Sequence, residues 1–204
     1  MGTDDFAVKL IKSGSPSAIA FQGMHKAFKT RMVKQPTKSQ TATNKIFYSK
    51  ASKEGMEIIK DEIQLAFNWQ RPSILLAIQK SKLDQLKNQL ALEQELIKTN
   101  KIVKWLNVDN NNPDIINIMC GAPDHNEVVF FVSGIGHTNN IDNIKIYNAL
   151  NLHRELLVEQ NIRVVFWLTE LEAAKLPYYA PDFWAFRHRV IEFAPRRGVK
   201  KKEN

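Results

Sequence analysis

The sequence predicts one parallel α/β domain over residues 54–195, preceded by a basic, poorly structured extension (1–53) and followed by a basic tail (196–204). Three observations carry this. Five apolar runs have strand length, and two of them, ILLAI and VVFFV, are apolar throughout, as strands covered on both faces must be. Between the runs, apolar residues recur at helical spacing. Charge is segregated: residues 1–71 carry 12 Lys/Arg against 6 Asp/Glu, residues 72–195 carry 12 against 14, and residues 196–204 carry 5 against 1. The body is therefore near neutral and the ends are basic.

Each element follows in order. Met56, Ile59, Ile63, Ala66 and Phe67 mark a helix over 54–68, and Pro72 closes it, because proline disfavours helix in the residue before it. Ile74–Ile78 is the first strand. Leu83, Leu86, Leu90 and Ile97 mark a helix over 82–98. Ile102–Leu106 is the second strand. Asn112 and Pro113 suit a helix start, as cap and first residue, with the end near Gly121. Val128–Val132 is the third strand. One helix spans 143–159 through Ile146, Tyr147, Leu150 and Leu157. Arg163–Leu168 is the fourth strand. Thr169-x-x-Glu172 then reads as a capping box, and Pro181-Asp182 opens a further turn. Val190–Phe193 is the last strand. Strands that alternate with helices make a mostly parallel sheet with helices on both faces. Residues 17–33 fit a basic amphipathic helix and 45–49 a short strand.

Composition excludes several classes. No run approaches the roughly 20 apolar residues of a membrane-spanning helix. The N-terminus lacks the pattern of a secretory signal. The single cysteine, Cys120, forbids an intrachain disulfide and fits a reducing, cytoplasmic compartment. The five histidines have no metal-ligand spacing, and Cys120 near His125 lacks the base and oxyanion donors of a nucleophilic site. Solvated helix faces account for Glu93/Glu95, Glu170/Glu172 and His153-Arg154-Glu155. Core packing accounts for Trp167, Phe183, Trp184 and Phe186.

The segment ALNLHRELLVEQNIRVVFWLTELEAAKLPYYAPDFWAFRHRVIEF resembles the second half of P-loop nucleotidase domains of the signal-transducing (STAND) type, related to AAA+. The likeness covers about residues 54–194. It implies spatial strand order 5-1-4-3-2 and a nucleotide at the carboxyl ends of strands 1 and 3. Each functional position departs from the pattern or is equivocal. Where a phosphate loop G-x-x-x-x-G-K-[ST] should follow the first strand, the chain reads QKSKLDQL, with no glycine to bring backbone N–H groups up to an anion. Lys80, Ser81 and Lys82 remain as loose anion contacts. Where an acidic residue should end the third strand, Ser133 and Gly134 stand, and a hydroxyl cannot replace the carboxylate charge that helps hold magnesium. Thr169 occupies the polar sensor position, which its capping role explains equally well. Arg187 and Arg189 could face a phosphate or solvent.

The expectation is a non-catalytic adaptor or regulatory domain, a pseudoenzyme without cofactor or metal, working by protein–protein contact in a bacterial signalling or conflict system. Two alternatives stand beside it: a nucleic-acid accessory protein using the basic ends, and a domain that binds nucleotide without hydrolysis. Lys80, Ser81, Lys82, Ser133 and Thr169 are the nucleotide candidates. Ser133, Gly134, Gly136 and His137, in the loop SGIGHTNN, are the partner-contact candidates. That loop is the most mobile candidate for recognition, so Gly134→Val or His137→Ala should weaken partner binding while leaving the melting temperature within a few degrees.

Overall fold

The structure, a computed structural model, describes residues 50–108, 113–136 and 140–193. Residues 1–49 of the extension, the tail, Asn112 and His137 lie outside these residues, while residues 50–53, expected to belong to the extension, open the first helix. The elements run α1 (Lys50–Asn68), β1 (Ser73–Gln79), α2 (Lys82–Lys98), β2 (Ile102–Asn107), α3 (Ile115–Cys120), β3 (Val128–Ser133), α4 (Asn140–His153), α5 (Leu156–Glu159), β4 (Arg163–Thr169), α6 (Glu170–Tyr179), α7 (Pro181–Phe186) and β5 (Arg189–Glu192). The sheet order is β2-β3-β4-β1-β5, and every neighbouring pair is parallel. Read from the other edge, this is 5-1-4-3-2, the order of the P-loop nucleotidase fold.

The sheet is covered on both sides. Residues such as Ile74, Leu76, Phe130, Val132, Val164 and Phe166 face α3 to α7, where Ile116, Tyr147, Leu157, Leu176 and Phe183 meet them. Leu75, Ala77, Val129, Phe131, Val165 and Trp167 face α1 and α2 through Ile59, Ile63, Leu92 and Leu96. All of these are almost fully buried. Trp167 lies 5.4 Å from Phe131 and 5.8 Å from Phe193, while Phe183 meets Phe166 on the opposite face at 5.1 Å. The aromatic concentration thus divides between the two faces.

Three helices end in one way. Gln70, Asn100 and Asn161 each have positive φ (48°, 58° and 52°). The next residue donates back five positions: Arg71 N–H to Ala66 O (2.9 Å), Lys101 N–H to Leu96 O (3.0 Å) and Ile162 N–H to Leu157 O (2.8 Å). This closure turns the chain from helix into strand. The first helix therefore stops by its own cap, at Asn68, four residues before Pro72.

Several expectations need correction. The helix expected over 143–159 is two helices, broken at Arg154–Glu155. Asp114, not Asn112, caps α3, its carboxylate accepting the Asn117 N–H. The face read for α2 is only half right: Leu83 and Ile97 are more than half exposed, whereas Gln85, Asn88 and Gln89 are buried. Glu93 is no solvated charge, because its carboxylate accepts the Trp105 indole N–H at 2.9 Å. His153 is half-buried, with Nδ1 2.8 Å from the Asp114 carboxylate.

Candidate functional site

In an open parallel sheet, ligands meet the protein at the carboxyl ends of the strands. Here Gln79 ends β1 and stands opposite Thr169, which ends β4, while Ser133 ends β3 opposite Asn107. These positions hold most of the residues expected from the sequence, and local chemistry dictates what each does.

After β1, Lys80 is exposed and Ser81 is the N-cap of α2. The Ser81 hydroxyl accepts the Asp84 N–H (3.1 Å) and donates to the Asp84 carboxylate (2.7 Å). A helix N-terminus attracts anions through its unpaired N–H groups and its dipole. In this chain the cap takes one N–H, and Asp84 adds a negative charge in the first turn.

Lys82 turns the other way. Its ammonium donates to Glu172 Oε1 at 2.8 Å, across the crest of the sheet. The other carboxylate oxygen, Oε2, accepts both Thr169 N–H (2.6 Å) and Thr169 Oγ (2.9 Å). The Thr169 hydroxyl in turn accepts the Glu172 N–H at 3.3 Å, which completes the capping box. One carboxylate therefore serves three donors. Its side chain is only 6% exposed, whereas that of Lys82 is 39% exposed. The solvated face expected for Glu172 is overturned: this side chain is the hub of the crest.

The loop after β3 closes the same region. Ser133 is buried and its Oγ makes a long contact, 3.4 Å, to Asn107 Oδ1, while Val108 N–H donates to Ser133 O at 2.8 Å. Gly134 and Gly136 both have φ of 91°. A Cβ on Gly134 would sit 2.6 Å from Asn107 Oδ1 and 2.7 Å from the Val108 carbonyl. Between the glycines, Ile135 is fully buried. Over 133–136 the loop is a packed plug, so Gly134→Val is now expected to lower stability, against the expectation of a melting temperature held within a few degrees. A Cβ on Gly136 would come within 3.0 Å of the Tyr147 hydroxyl and 3.6 Å of Glu172. That hydroxyl is buried without a partner among the described residues. Burial first, then the nearby Glu172 carboxylate, push the phenol up to about 12, so it stays neutral.

Beneath the crest lies a buried amide cluster. Asn88 Nδ2 donates to Gln79 Oε1 at 3.0 Å. Gln85 and Gln89 lie on the same helix and are equally buried. Of the two arginines near the last strand, Arg187 stacks on Trp184 at 3.9 Å and donates to its carbonyl, and Arg189 pairs with Glu62 at 2.7 Å. Neither is turned to an anion site. No cluster of three or more metal-ligating side chains occurs among the described residues. No helix among them is long and apolar enough to cross a membrane.

Glu172, Asp84 and Tyr147 were not singled out as site residues from the sequence. The capping-box spacing did signal the local role of Glu172. Nothing signalled its partner 90 positions earlier.

No family model matches this sequence. No curated protein matches it either. Among solved structures, the chain is similar to the Aeropyrum pernix ORC2 protein in its ADP form (12% identity, TM-score 0.43, 68% of this chain and 47% of that one). It is also similar to a Thermotoga maritima RuvB variant (11%, 0.43, 69% and 44%). A third similar structure is the Aeropyrum pernix ORC1 protein in complex with DNA (12%, 0.42, 70% and 45%). The chain spans less than half the length of each.

Proposed function

We propose that this chain is a non-catalytic adaptor or regulatory module with a degenerate nucleotidase fold, of the STAND-like kind, acting through protein–protein contact in a bacterial signalling or conflict system. The observation that supports it is the Lys82–Glu172–Thr169 network. Phosphoryl transfer depends on positioned cations and backbone donors that neutralise the phosphates. At this crest the lysine is committed to an internal carboxylate, the helix N-terminus is capped and carries Asp84, and Ser133 stands where a metal-holding acid is needed. The free, half-buried Cys120, its thiol pushed up by burial, accords with a cytoplasmic setting.

The uneven charge favours one second reading, nucleic-acid contact through residues 1–53 and 196–204. Such binding would fall steeply with salt and vanish with those ends removed, whereas contact through the near-neutral domain would survive both. The direct test of the preferred reading is turnover. Purified chain should release no phosphate from ATP or GTP with magnesium above background, and Lys80→Ala and Lys82→Ala should change nothing. Magnesium-dependent hydrolysis abolished by Lys82→Ala would overturn it.

A further inference from the structure

Two neighbouring helices leave large apolar side chains uncovered. α4 packs beside α6, and the Tyr147 and Tyr179 rings stack between them at 5.2 Å. Asn151 Oδ1 accepts the Phe183 N–H at 3.0 Å and ties α4 to α7 as well. Both helices carry apolar residues on their outward as well as their inward sides. Inward, Ile146, Tyr147 and Leu150 of α4 and Leu176 of α6 are buried. Outward, Ile144 and Leu152 of α4 are 50% and 73% exposed, and Leu171 and Tyr178 of α6 are 78% and 79% exposed. Leu171 and Tyr178 stand two turns apart, about 10 Å along one side of α6, with the small, exposed Ala174 between them. Exposed apolar side chains grouped in this way mark a contact surface.

The charge on this surface has one sign. Lys145 follows Ile144, and Lys175 lies one turn beyond Leu171. Neither has a carboxylate partner among the described residues. The neighbouring acids are engaged or turned away. Glu172 is buried and bound to Lys82 and Thr169, and Asp182 lies 3.9 Å from Arg154. Glu170 lies on the other flank of α6, in a groove with Ile78 and Trp184.

We propose that the outward sides of α4 and α6 dock an amphipathic helix of a partner protein, one whose apolar stripe is flanked by Asp or Glu. The inference rests on the adaptor reading above and names the surface such an adaptor would use. Two adjacent helices leave a groove between them, and a third helix, about 10 Å across, seats in such a groove. Leu171, Ala174 and Tyr178 have the i, i+3, i+7 spacing that meets the anchors of a helix laid along α6. The unpaired ammoniums of Lys145 and Lys175 call for carboxylates beside those anchors. A second copy of this chain fits poorly, because a two-fold axis that set Leu171 against Tyr178 would bring two Lys175 side chains together. Single-stranded nucleic acid fits less well too. Tyr179 is already stacked on Tyr147 and set perpendicular to Tyr178 at 4.7 Å, and the aliphatic side chains offer bases no ring to stack on.

The test is a display selection against the full chain, using helix-forming peptides of about 20 residues randomised over one face. Selected peptides should carry apolar residues at helical spacing with Asp or Glu beside them. Chemical shift changes in the complex should centre on residues 144–152 and 171–179. Leu171→Ser and Lys175→Glu should each weaken binding by about tenfold or more, with melting unchanged. Replacing the acidic residues of the peptide by lysine should restore binding to Lys175→Glu. A selection that yields no peptide, peptides that bind both variants as well as the wild type, or shift changes centred elsewhere would overturn the site. Oligothymidylate bound by the wild type and not by Tyr178→Ala, with no peptide selected, would overturn it in favour of nucleic acid. ATP hydrolysis lost in Lys82→Ala would instead overturn the adaptor reading, so the two failures are distinguishable.

Discussion

The two ends of the sheet invite comparison. At the amino end of the strands, Arg163 is buried and donates to the carbonyls of Asn126 (2.8 Å) and Ala66 (3.3 Å), with its guanidinium 4.2 Å from the Phe67 ring centroid. Burial alone lowers its affinity for the proton. Two of the three left-handed helix caps, Gln70 and Asn161, lie nearby. At the carboxyl end, Glu172 is buried and accepts from Thr169 and Lys82, over the Ser133–Gly136 plug. A domain of this order normally keeps its amino end for stability and leaves its carboxyl end open for ligands. Here both ends are finished alike, each with one buried charge serving several partners. Under the proposed reading the carboxyl end serves structure rather than a ligand, and the comparison can be broken or sharpened by substitution.

The largest effect is expected at the amino end. Arg163→Met keeps the apolar stem over Phe67 but removes two charge-assisted bonds, to the Asn126 and Ala66 carbonyls, and should cost about 3 kcal/mol in chemical denaturation. A loss below about 0.5 kcal/mol, the usual range for a surface change, would show that this end is not organised by the arginine. Next comes Gly134→Val, which forces a Cβ against the Val108 carbonyl at a positive φ. It should cost about 2 kcal/mol or more, with melting lowered by several degrees. Unchanged melting would restore the mobile-loop reading.

The smallest effect is expected from the pair at the crest. Lys82→Met and Glu172→Gln, combined in a double-mutant cycle, should show a coupling of about 1 kcal/mol. The figure is modest because the Lys82 side chain is more than a third exposed, and water screens such a pair. Zero coupling would mean that the two side chains do not hold each other in solution.

Much of the sheet was legible because its strands are buried on both faces. Runs such as VVFFV and RVVFWL announce themselves whatever lies above and below. The face of α2 was not legible. Counting apolar letters chose Leu83 and Ile97, which are exposed, and could not know that Gln85, Asn88 and Gln89 would be buried. The capping box was readable because its partners lie three residues apart. The Lys82–Glu172 contact joins two distant crossovers, so only the fold brings it into view. Gly134 was read as freedom of movement, whereas its value is closeness to Asn107 and Val108, a property of neighbours that the local sequence does not state.

The central claim is that the carboxyl end is closed to nucleotide. Thermal melting of the full chain with and without several millimolar magnesium–ATP tests it most directly, because a ligand present at 100 times its Kd raises stability by about 2.7 kcal/mol whether or not it is hydrolysed. The account predicts superimposable curves for the wild type. A rise in melting temperature of several degrees that disappears in Lys82→Ala would contradict it.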